Sequence, residues 1–96
     1  MNNPMEARRR RNEILALATK YGAQNVRVFG SVARGDAGPE SDLDLLVTFE
    51  RGRSLLDLVG FEQDLEEMLG CKVDVVSERG ISPYLEKRIL EEAVPL

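Results

Sequence analysis

Two aspartates, Asp42 and Asp44, follow the pair Gly30-Ser31 within the stretch GSVARGDAGPESDLD. Carboxylates at positions i and i+2 of a strand point to one face, with their backbones roughly 6.5 Å apart. Their oxygens can converge on one hard cation or bracket two ions about 3.5–4 Å apart. Without a cation such a pair repels by roughly 2–3 kcal/mol at an effective dielectric near 20, so fold stability gains nothing from it. Gly30 lets a ligand approach the backbone, Ser31 adds a hydroxyl, and Arg34 places a guanidinium one turn further on. All three suit phosphate oxygens at the start of a helical turn. No Gly-Lys-Ser/Thr follows the turn, so this is not a Walker-type loop.

The neighbouring residues predict the elements that hold these groups. Asn25 to Phe29 reads as a β-rich run with Val26 and Val28 on one face. Ser31 is then expected to cap one helical turn, Val32 to Arg34, which Gly35 stops. Ser41 to Phe49 alternates as a half-buried strand. Leu43, Leu45, Val47 and Phe49 fall on one face, and Asp42, Asp44, Leu46 and Thr48 on the other. Lys72 to Val76 is a second such strand, with Val73 and Val75 inward and Asp74 pointing the way Asp42 and Asp44 do. If the two strands are neighbours, three acids share one surface. Asp36 and Glu40, in the intervening loop, read as solvated acids.

The remaining pattern is helical. A helix is expected from about Pro4 to Tyr21, with Ile14, Leu15, Leu17, Ala18 and Tyr21 on one side. Ser54 and Asp57 form a capping-box pattern for a helix running to about Leu69, stopped by Gly70. Leu58, Phe61, Leu65, Met68 and Leu69 should face inward. Ser82-Pro83 should open a last helix carrying Leu85, Ile89 and Ala93. The order α-β-(α)-β-α-β-α predicts a small α/β (α+β) domain over residues 1–96, with a short mixed sheet and flanking helices.

Composition narrows the chemistry. A net charge of −4 argues against broad nucleic-acid binding, and the lack of histidine excludes His-based metal sites and general bases. The single cysteine, Cys71, can form no disulfide within the chain and reads as a buried structural thiol. No apolar run approaches the ~18–20 residues of a membrane span, and no secretory leader is evident, so a cytoplasmic protein is expected. The basic run Arg8-Arg9-Arg10-Arg11 splays around a helix. It reads either as a solvated first turn or as a docking surface for an acidic partner or RNA, with no sequence-reading signal.

A lone D-x-D or a lone Gly-Ser is commonplace; their conjunction at this spacing, with a third strand acid, is not. The stretch from Gly30 to Phe49 resembles the signature of polymerase-beta-type nucleotidyltransferases, and specifically the minimal nucleotidyltransferase (MNT) branch. The resemblance extends over nearly the whole chain. It implies a catalytic palm in which Asp42 and Asp44 bind Mg²⁺, with two ions expected. It also implies that Asp74 helps bind metal and activates the acceptor hydroxyl, and that the Gly30-Ser31 element, with Arg34, grips ATP. Minimal nucleotidyltransferases of this kind are commonly antitoxins that move AMP from ATP to a tyrosine of a HEPN-domain ribonuclease toxin. A hetero-oligomeric complex with such a toxin is therefore the expected setting, because no acceptor-binding domain is visible in the sequence. Two other readings stay open: an antitoxin that acts by binding alone, and a small-molecule nucleotidyltransferase of the aminoglycoside-modifying kind.

Overall fold

In a computed structural model, which describes residues 4–38, 40–80 and 83–96, a four-stranded mixed sheet carries the helices. The chain runs from a 3₁₀ turn, Pro4–Arg8, into helix α1 (Arg11–Lys20), strand β1 (Ala23–Phe29) and the short helix α2 (Gly30–Arg34). Strand β2 (Leu43–Phe49), helix α3 (Leu55–Leu69) and strand β3 (Val73–Ser77) follow. A 3₁₀ turn (Glu78–Gly80) leads to helix α4 (Pro83–Glu92) and strand β4 (Val94–Pro95). The sheet order is β3-β2-β1-β4. Strand β2 is antiparallel to β1 and parallel to β3, and β4 pairs antiparallel with β1.

One face of the sheet builds the core. Val26, Val28, Leu43, Leu45, Val47, Val73 and Val75 pack with Ile14 and Ala18 of α1 and with Phe61, Leu65 and Leu69 of α3. Helix α3 is delimited as its sequence predicts. The Ser54 side chain accepts from the Leu56 amide, the Asp57 carboxylate accepts from the Ser54 amide, and Gly70 ends the helix at φ 69°. Gly60, inside this helix, makes room for α1: a Cβ there would press on the Tyr21 ring, which stacks at 6.1 Å on Phe61. Two further α3 side chains reach the sheet edge. Glu66 accepts from the Val73 amide at 3.0 Å and Glu62 from the Val75 amide at 2.7 Å, satisfying the outward donors of β3.

Several expectations need correction. The first helix is broken: Arg9 and Arg10 form a turn between the 3₁₀ segment and α1. Arg10 leaves the helical path to donate to the Met68 carbonyl and to Glu13, and Arg8 donates to the main-chain oxygens of Pro95 and Leu96. Arg8 and Arg10 thus tie segments of the fold together. Strand β2 starts at Leu43, so Asp42 immediately precedes it. Leu46 is fully buried on the face that Asp44 occupies, so that face is covered part-way along the strand. Strand β4, which pairs with β1, is an additional element that the residue pattern does not announce. Cys71 is half-buried against the core, with its thiol pushed up by burial and by Glu66 and Asp42. Ser82 lies outside the described residues, and Pro83 opens α4 as expected.

Phe61→Ala should cost about 3–5 kcal/mol by removing a fully buried ring. Ser54→Ala should cost about 1 kcal/mol by removing the cap. Urea denaturation of the two variants should show this order; equal losses would mean that the cap has wider structural consequences.

Candidate active site

The end of β1, the start of β2 and the start of β3 meet at one end of the sheet. Across the parallel pair, Asp44 lies in register with Asp74, and across the antiparallel pair Phe29 lies opposite Asp44. Gly30 therefore sits directly against the Asp44 side chain. A Cβ at Gly30 would collide with the Asp44 carboxylate, and the backbone there has φ 72°, a left-handed value that other residues adopt at a cost. The sequence assigned this glycine to ligand access; in the fold its first duty is to admit Asp44. Ser31 also differs from expectation. Phe29, extended at φ −135°, is the N-cap of α2, and Ser31 is the second residue of the helix. Its hydroxyl caps nothing, and the residue is partly exposed.

Asp42, Asp44 and Asp74 are all partly exposed. Burial, reinforced by the charges of Asp74, Asp42 and then Glu92, pushes the Asp44 carboxyl from its ordinary 3.8 up to about 6; Arg34 opposes the shift. Asp44 is therefore near enough to both Asp74 and Asp42 to feel their charge. Among the described residues, however, no three carboxylate or thiol side chains close on a common point as a finished metal cage. Mutual repulsion disfavours such closure without a cation. Arg34 pairs with Glu92 at 2.5 Å and with Asp36 at 3.4 Å. A groove of about 390 Å³ lined by Phe49, Arg53, Leu55, Leu58 and Arg79 opens at the other end of β2, away from the acids.

Comparison with known proteins bears on the family and the fold. Residues 11–96 match the model of the nucleotidyltransferase domain family. The chain belongs to that family. A solved structure provisionally described as a minimal nucleotidyltransferase is 53% identical, with TM-score 0.87 over 98% of this chain and 96% of that one. Protein adenylyltransferase MntA of Thermococcus cleftensis is 40% identical over 81% of this chain and 79% of its own. A Shewanella oneidensis complex, of a tri-AMPylated HEPN toxin with MNT antitoxin, contains a chain 21% identical with TM-score 0.71. That match covers 92% of this chain and 69% of the other, and at this identity it is a likeness of fold alone. The expected fold, a minimal nucleotidyltransferase with a mixed sheet and flanking helices, is the observed one. Among the described residues no helix is long and apolar enough to cross a membrane.

One residue that acts on Asp44 carries no distinguishing signal in the sequence. Glu92 is one of three glutamates in α4, and its spacing alone does not distinguish it from Glu86 or Glu91.

The raised Asp44 carboxyl has a consequence for stability. The folded chain holds this proton more tightly than the unfolded chain, so the contribution of Asp44 to stability falls as pH rises from about 4 through about 6 and is then level. Asp44→Asn removes this penalty. Its melting temperature should exceed that of wild type most at pH 7.5, and the difference should shrink towards pH 4. A difference independent of pH would show that Asp44 ionises without cost.

Proposed function

We propose that the chain is the antitoxin of a HEPN/MNT pair and transfers AMP from ATP, with Mg²⁺, to a tyrosine of the HEPN ribonuclease toxin. The observation that supports this most is the Asp44–Asp74 register across β2 and β3, with Gly30 against Asp44. The activity named for the Thermococcus cleftensis relative and the modified toxin in the Shewanella oneidensis complex support the acceptor class.

The donor set fits a hard divalent cation: carboxylate oxygens without histidine, around an Asp44 whose ionisation is opposed by burial and like charge. Asp42, Asp44 and Asp74 would hold it. When bound, Mg²⁺ neutralises phosphate charge and orients the triphosphate. The protein's own groups do the rest. Ser31 offers a hydroxyl to phosphate oxygens and Arg34 a charged fork, so the triphosphate is positioned before reaction. The tyrosine oxygen forms a bond to the α-phosphorus as the bond to the bridging oxygen breaks and pyrophosphate leaves. Asp74 is the acceptor for the phenolic proton, acting as general base.

Incubation with ATP, Mg²⁺ and a HEPN toxin should add one or more AMP units to the toxin, read by intact mass. Asp42→Ala and Asp44→Ala should abolish the gain while the variants remain folded. Asp74→Asn should depress it, although the change is nearly isosteric. Mg²⁺ and ATP together should raise the melting temperature more than either alone. If wild type gives no mass gain and Asp42/Asp44 double variants still silence the toxin, neutralisation is by binding and the transfer reading is wrong.

A further inference from the structure

We propose that Glu92, the last residue of α4, is a positioning residue that holds the Arg34 guanidinium ready for the nucleotide's phosphates. This rests on the reading above that Arg34 meets the triphosphate. Arg34 leaves α2 and donates from Nη1 to Glu92 Oε1 at 2.5 Å, and from Nε to Asp36 Oδ2 at 3.4 Å. A guanidinium carries five N–H donors in a rigid plane, so these two bonds fix the plane while leaving three donors, including both on Nη2, for a ligand.

The two carboxylates are unequal anchors. The Glu92 side chain is only 22% exposed, whereas Asp36 is 63% exposed and makes the longer bond. Arg34 itself is 52% exposed, so its fork is held from a sheltered side and remains accessible. Helices α2 and α4 are packed together, which limits how far Glu92 can drift from Arg34. Helix α2, which carries Arg34, packs against β2 as well as α4, and its first residue, Gly30, lies against Asp44. Glu92 would otherwise add a further unpaired negative charge where the triphosphate must enter. Bonded to Arg34, it is neutralised and removes rotamer freedom that the arginine would otherwise lose on binding. The last helix, through one side chain, thus becomes part of the nucleotide grip.

A double-mutant cycle tests this, using calorimetric affinity for a Mg²⁺-bound, non-hydrolysable ATP analogue. Glu92→Gln should weaken binding roughly fivefold or more in the wild-type background and leave it unchanged in Arg34→Met, because coupled neighbours are non-additive. An anchor that merely seats α4 would give the same loss in both backgrounds, and that result overturns the proposal, as does unchanged or tighter binding by Glu92→Gln. Arg34→Lys gives a second readout should Glu92→Gln fail to fold. It keeps charge and an ion pair but loses the planar fork, so binding should weaken at an unchanged melting temperature; wild-type affinity overturns the proposal. Absence of analogue binding by the wild-type chain would overturn the nucleotide-transfer reading itself, and this inference with it.

Discussion

The crowding of like charge at one end of the sheet is the constraint around which the rest is arranged. Asp44 and Asp74 face each other across a parallel pair, and each is flanked in its own strand by buried residues: Leu43 and Leu45, Val73 and Val75. This interleaving locks the register. A slip of one residue would turn the acids into the core and expose the leucines and valines, so the unfavourable placement of the carboxylates is held by the burial of their neighbours. Gly30 completes the arrangement, because only a residue without a Cβ fits against Asp44 there.

Much of this was legible because it depends on periodicity and punctuation. Alternation located β2 and β3 and put Asp74 on the side of Asp44, while Ser54, Asp57 and Gly70 marked both ends of α3. What was missed depends on contacts distant in sequence. Strand β4 is two residues long and contains a proline, so no alternation announces it; it exists because the chain returns alongside β1. The break before α1 has no glycine or proline to signal it, and coincides with arginine bonds to Met68, Pro95 and Leu96. The helix start lies two residues before the expected one, because Gly30, with its left-handed φ, already belongs to the helix and Phe29 is the N-cap. Glu92 is separated from Arg34 by most of the chain, and nothing local distinguishes it among the glutamates of its helix.

The arginine run shows how one composition feature divides in three dimensions. Arg8 and Arg10 meet main-chain oxygens, Arg9 lies 3.8 Å from Glu6, and Arg11 is exposed on α1. A cluster that looks uniform in sequence divides between long-range ties and exposed side chains. The exposed ion pairs contribute little individually, whereas the bonds to carbonyls satisfy groups that chain turns leave open.

The outer edge of β3 has a consequence for assembly. An uncovered edge strand offers a row of amides and carbonyls on which another polypeptide can add a strand of its own. Here Glu62 and Glu66 already occupy the amides of Val75 and Val73, so an incoming strand would have to displace two carboxylates and leave them against its own backbone oxygens. Sheet extension from this side is thereby discouraged, and the lateral boundary of the domain lies at β3.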